Sequence, residues 1–146
     1  MGTHRQSKTA KLAPKAGRTS AKILALGSIL LMCATRASLG ADKGVVPVDG
    51  GELLGGASKV STDSGQNLVS LAKAGQGVKL QGVPVGGTLA IRYGSVEVGT
   101  ISVTVNGGPV CKVNVHSTGD ATKSFLNAKI QMAIPAGATV TISRGE

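Results

Sequence analysis

Aromatic residues are nearly absent: the 146 residues include no Trp, one Tyr and one Phe. Single-stranded nucleic acid is held by stacking bases on aromatic faces and by tracking phosphates with excess charge on the folded part. The formal charge of +9 would suit phosphates, but it is unevenly placed. Residues 1–41 carry Arg5, Lys8, Lys11, Lys15, Arg18, Lys22 and Arg36 and no acid, whereas residues 42–146 hold nine Lys or Arg against seven Asp or Glu, a balance of +2. Nucleic acid is therefore excluded as a partner of the folded part. Cysteine is scarce as well. Residues 42–146 contain Cys111 alone, which excludes an intramolecular disulfide there and a zinc site built from several thiolates. That part also has one histidine, His116, and no Asn-x-Ser/Thr glycosylation signal.

The N-terminal 41 residues have an order of their own. A basic stretch ends at Lys22, an uncharged and mostly apolar run extends from Ile23 to Thr35, and small residues follow in Ala37-Ser38-Leu39-Gly40-Ala41. Positive, apolar and small-residue regions in that sequence are the requirements of a secretory signal peptide. The apolar run is shorter than the roughly 20 residues needed to span a bilayer, and no twin-arginine pair precedes it. The expectation is a signal peptide over residues 1–41, removed near Ala41, and a secreted or periplasmic product with no membrane attachment afterwards; the other reading is a short uncleaved anchor.

Residues 42–146 offer little to a helix, being rich in Gly, Val, Ile and Thr. Short alternating runs recur instead, with turn residues between them. Val78 and Leu80 alternate with polar neighbours up to Gly82-Val83-Pro84; Leu89, Ile91 and Tyr93 do so after a turn at Gly86-Gly87; Ile101, Val103 and Val105 lead to Asn106-Gly107, a tight-hairpin pair. On the return strand Cys111, Val113 and Val115 share one face, and Lys112, Asn114 and His116 the other. Ala128, Ile130, Met132 and Ile134 form a further inward row before Pro135-Ala136-Gly137 and a strand at Val140 and Ile142. Ala57–Ser61 and Leu68–Leu71 complete the set. The fold class expected is all-β, an antiparallel two-sheet sandwich of jelly-roll type forming one domain over residues 42–146.

Several stretches, in order, resemble a known pattern: Val48-Asp49-Gly50-Gly51-Glu52-Leu53-Leu54-Gly55-Gly56-Ala57, Gly75-Gln76-Gly77-Val78, Leu89-Ala90-Ile91-Arg92-Tyr93, Ser102-Val103-Thr104-Val105-Asn106-Gly107, and Ile134 to Ile142. Together they resemble the galactose-binding-like β-sandwich of carbohydrate-binding module families six and thirty-five. The resemblance implies a non-catalytic module of a secreted protein that targets an attached or partner enzyme to a polysaccharide or oligosaccharide. It also implies a structural calcium, with Asp49 at the position of the family's ligating Glu; the other reading of Asp49 is a solvated turn residue. The family's sugar cleft lies on loops at one end of the sandwich. Carried onto this chain, those positions fall at the loop containing Gln66, near Asp120, at Phe125 in a late aromatic position, and at Thr139 where the family has an Asn. Phe125 is either a ring platform or a plug of the core, and Tyr93 shares the parity of Leu89 and Ile91. Family members also close with a further strand, so the resemblance implies either that the chain is a fragment of a longer protein, with room for a catalytic domain beyond it, or that the domain lacks its closing strand.

Catalysis needs a positioned pair of groups. By parity His116 and Cys111 fall on opposite faces of one strand, and Asp49, Glu52, Asp63, Glu97 and Asp120 are scattered. The expectation is a protein that is not an enzyme. The competing reading is a structural or adhesive extracellular sandwich with no retained sugar site.

Overall fold

The structure, a computed structural model, describes residues 29–36 and 44–146. The expected cleavage point at Ala41 lies outside the described residues. In chain order the strands are β1 (Ile29–Arg36), β2 (Val45–Val46), β3 (Glu52–Leu54), β4 (Ser58–Ser61), β5 (Asn67–Leu71), β6 (Gly77–Val83), β7 (Gly86–Ser95), β8 (Gly99–Val105), β9 (Cys111–Val115), β10 (Leu126–Ile134) and β11 (Ala138–Arg144). A short 3-10 turn, Val48–Gly50, is the helical element among the described residues. None of their helices is long and apolar enough to cross a membrane.

Two antiparallel sheets result. Sheet A has the order β10-β7-β1-β5-β4, with β2 pairing β1, and sheet B the order β3-β6-β11-β8-β9. From β5 onward the chain moves repeatedly between sheets: β5 lies in A, β6 in B, β7 in A, β8 and β9 in B, β10 in A and β11 in B. Such crossing puts one face of nearly every strand onto a shared core, as the expected sandwich requires. That core joins Val69, Leu71, Leu89, Ile91 and Tyr93 of sheet A to Val78, Leu80, Ile101, Val103, Val140 and Ile142 of sheet B. Ile130 is buried in it, while Val113, Met132 and Cys111 are partly buried against it. Tyr93 belongs to the core at 3% exposure, and its hydroxyl accepts the His116 N–H at 3.1 Å, so its one polar atom is satisfied there.

Two turns follow directly from residue chemistry. Asn106 and Gly107 adopt φ of 50° and 70°, the twist that lets a two-residue turn match its strands, and Gly108 N–H closes onto Val105 C=O. Gly82, at φ 67°, sits where the β6–β11 register slips between Ala138 and Val140, and so absorbs an extra residue as a bulge. The Gly86-Gly87 turn is corrected: both residues open strand β7, with Gly86 paired to Ile134.

Three strands fall outside the sequence expectation: the short β2 and β3, and β1. Strand β1 comes from the apolar part of the expected leader and runs between β7 and β5.

Candidate functional site

A cleft of about 430 Å³, lined mostly by polar residues, opens on the outside of sheet A. One wall is the β4–β5 turn, with Ser61, Thr62, Asp63, Ser64 and Gln66; the other is formed by Arg92 of β7 and by Thr122, Lys123 and Phe125 of the segment before β10. Both walls are held by local hydrogen bonding that follows from their sequences.

In the turn wall, Thr62 is the hub. Its N–H donates to Gln66 C=O at 2.9 Å, its hydroxyl oxygen accepts Gln66 N–H at 3.1 Å, and the same hydroxyl pairs with Ser64 Oγ at 2.8 Å. Gly65, at φ 77°, makes the reversal and donates its N–H to Thr62 C=O. The side chain of Gln66 is left to line the cleft.

The opposite wall is fixed by Asp120. Its Oδ1 accepts the Thr122 N–H at 2.7 Å, the Thr122 hydroxyl at 2.9 Å and the Lys123 N–H at 2.9 Å. Hydrogen bonds from the Thr122 backbone and side chain, and then from the Lys123 backbone, hold the Asp120 carboxyl below its ordinary pKa. Thr118 ties the loop to the end of β7, donating its N–H to Ser95 C=O at 2.7 Å and accepting Ser95 N–H at 3.1 Å. The loop lies close against β7 because Gly94 has no side chain. A Cβ there would stand 2.5 Å from Ala121 O and 3.0 Å from Ser124 O.

Phe125 sits between these parts. It is partly buried against a second, small cluster made by Leu68 and Ala121 with Val60 and Val96 at its edge. The Arg92 guanidinium lies 4.8 Å from the ring centroid, within cation–π range. One aromatic face thus carries a planar cation whose N–H groups are suited to hydroxyl and carboxylate oxygens. Lys123 adds a second cation and Asp63 one carboxylate.

Of the residues singled out in the sequence, the structure brings Gln66 and Phe125 into one cleft and places Asp120 directly behind it, as the brace of Thr122 and Lys123. Thr139 is not brought there. It is the second residue of β11 in sheet B, where its N–H donates to Asn106 Oδ1 and its C=O accepts Asn106 N–H, both at 2.8 Å. The sequence reading missed Arg92, Lys123 and Thr62 as cleft residues. The signal for Arg92 was present, since it alternates with buried Ile91 and Tyr93 and so must face outward. What the alternation lacked was the pairing of Asn127 with Arg92, which carries Phe125 to it.

Asp49 was tested for calcium by its surroundings. Its Oδ2 accepts the Asn67 side-chain N–H at 2.9 Å, and Asn67 in turn accepts the Ser61 hydroxyl at 3.0 Å. Among the described residues no three His, Cys, Asp or Glu gather into a group able to hold a metal. Calcium takes six to eight oxygens. The Asp49 carboxylate is engaged with the Asn67 amide, and Glu52 is turned to Lys79 in an ion pair of 2.9 Å.

No family model matches the chain, and no curated protein matches it significantly. Solved structures do. The exo-β-1,3-galactanase of Phanerochaete chrysosporium, crystallised with galactose, is similar over 68% of this chain at 19% identity and a TM-score of 0.58. The chain spans about a quarter of that enzyme, 26% of its length. A family 35 carbohydrate-binding module from Clostridium thermocellum is similar over 66% of this chain and 82% of its own, at 18% identity and a TM-score of 0.57. The chain therefore shares the all-β, two-sheet antiparallel sandwich fold of these structures.

Proposed function

We propose that the protein is a non-catalytic carbohydrate-binding domain that holds an oligosaccharide or polysaccharide in the cleft between the β4–β5 turn and Phe125. The observation that carries this reading is the arrangement of one half-buried ring, a guanidinium against it, and amide, ammonium and hydroxyl groups around a single open cleft. Sugars offer apolar C–H faces and a fringe of hydroxyls, and a ring with planar polar neighbours answers both. The similarity to a carbohydrate-binding module, and to part of a galactanase, supports the same class of ligand. Asp63 is the one carboxylate lining the cleft, whereas glycoside hydrolysis uses a pair. That argues for retention of glycan without cleavage.

The reading extends to a working context. The domain acts outside the cytoplasm, where polysaccharides are met, and brings an attached or partner enzyme to its polysaccharide. One stacking contact contributes on the order of 1 kcal/mol, far short of the roughly 8 kcal/mol of micromolar binding, so binding by this cleft is weak. Affinity electrophoresis of the full chain through gels cast with soluble polysaccharides, guided by a glycan array, tests it. Retardation in at least one glycan gel is expected, lost in Phe125→Ala and reduced in Arg92→Ala. Equal migration of all three proteins in every gel would overturn the reading.

A further inference from the structure

Strand β1 is an inner strand on both of its edges. Along one edge it pairs with β7 over its whole length, from Ile29 opposite Ser95 to Arg36 opposite Thr88. Along the other, Ile29 to Leu31 pair with Leu71 to Val69 of β5, and Cys33 and Ala34 pair with Val46 and Val45 of β2. Strands β5 and β7 do not pair with each other, and both run antiparallel to β1. Taking β1 away would leave sheet A as two separate two-stranded ribbons, β10-β7 and β5-β4, and would leave β2 without its ladder. Ribbons of two strands are marginal alone, and the vacated gap would present two rows of unsatisfied N–H and C=O groups. The strands bordering the gap supply Val69, Leu71, Leu89 and Ile91, each fully buried in the shared core with β1 in place.

The gap also bears on the cleft. One cleft wall belongs to the β4–β5 ribbon and the other to the β7–β10 ribbon, and β1 is what joins them. Adjacent strands stand about 4.8 Å apart, so the inserted strand sets the distance between Gln66 and Arg92.

We propose that Ile29–Arg36 is a permanent inner strand of the folded domain rather than a discarded leader, and that the gap between β5 and β7 is an acceptor specific for that segment. The proposal does not depend on sugar binding. It bears directly on processing: removal of residues 1–41 near Ala41 would take away the strand that closes sheet A.

The test uses the full chain with a specific protease site introduced between residues 38 and 41. After folding and cutting, the piece carrying Ile29–Arg36 should co-elute with the remainder in gel filtration and separate only in denaturant. The separated remainder should melt at a lower temperature, and a synthetic peptide of residues 28–37 should restore it where a shuffled peptide does not. In the intact chain, Leu31→Pro removes an amide from the ladder. It should speed hydrogen exchange at least tenfold along Val69–Leu71 and Leu89–Ser95, or abolish folding, either of which requires a structural strand. The proposal is overturned if the cut piece departs at once from a domain of unchanged melting temperature. It is equally overturned if Leu31→Pro leaves exchange at those residues unaltered, or if exported protein begins at Asp42 with no associated Ile29–Arg36 peptide and folds fully.

Discussion

The two sheets share one core but differ in how they are made. Sheet B is assembled from strands between Glu52 and Arg144, and on β8 and β11 its buried residues alternate, as at Ile101 and Val103 or Val140 and Ile142. The groove at its β3–β6 edge, lined by Glu52, Lys79 and Gln81, is bridged by the Lys79–Glu52 ion pair and has no aromatic lining. Sheet A takes its inner strand from a distant segment, bears the cleft, and has a second small cluster beneath Phe125. Sheet B is a scaffold read by pattern. Sheet A is where two loops with their own hydrogen-bond economies meet over a strand face, and the cleft lies between them.

The sharpest way to break this comparison is to damage each sheet in turn. Val103→Asp places an unpaired charge at a position with 0% exposure on β8. Removing the partner of a buried charge costs about 3–5 kcal/mol, and a new unpaired charge should cost at least that. Loss of a cooperative melt, followed by circular dichroism, is expected. Arg92→Ala on sheet A should leave melting nearly intact, since a cation–π contact at an exposed site contributes only about 0.5–1 kcal/mol. A Val103→Asp protein that melts normally would show that sheet B is not the scaffold.

Gly94→Ala probes the seam between the sheet and its loop. The new Cβ would press on backbone oxygens of Ala121 and Ser124 rather than on a flexible side chain. The loop must shift, and overpacking of this kind costs about 1–3 kcal/mol. Because the same loop carries Thr122, Lys123 and Phe125 to the cleft, glycan retention should fall more steeply than the melting temperature. Equal falls in both would mean that the loop is simply part of the scaffold.

Phe125→Ala comes next in size. The ring is only partly buried, so the lost burial is about half of the 1.5–3 kcal/mol for a fully buried large apolar side chain. A platform role predicts lost glycan retention with that modest destabilisation. A pure plug role predicts the destabilisation with retention preserved.

How far the sequence foretold each sheet follows from the same difference. Alternation marks a strand whose faces meet different surroundings, and for that reason β6 to β11 were legible as strands, as was the burial of Tyr93. An unbroken apolar run has no period, so Ile29 to Cys33 fitted an export segment as readily as an inner strand. Gly86-Gly87 had turn chemistry, yet ladder pairing with β10 drew Gly86 into β7. Of the cleft residues, Gln66 and Phe125 had been named from the resemblance, whereas Arg92 needed the β7–β10 register that only the folded chain supplies. Thr139 was carried over by position, and the β8–β9 turn at Asn106 holds it elsewhere.

The smallest effect expected lies behind the cleft, at Asp120. Three hydrogen bonds favour its ionised form, so its folded pKa lies below that of the unfolded chain, with the Thr122 N–H as the leading cause. A depressed carboxyl stabilises the loop above its unfolded pKa and loses that contribution as pH falls through the lower, folded value. Acidification through this window should therefore loosen Thr122 and Lys123 while sheet B, which relies on apolar burial, stays intact. Amide exchange or chemical shifts followed by NMR would show loop signals moving before those of Ile101 to Val105. Asp120→Asn keeps a carbonyl acceptor without the charge, and should bring the loosened loop and part of the lost glycan retention up to neutral pH. Asp120→Ala removes the acceptor and should go further in both. If the loop signals of wild-type protein and Asp120→Ala coincide at neutral pH, the carboxylate is not the brace, and the position of Lys123 must be set by Thr118 and Ser95 alone.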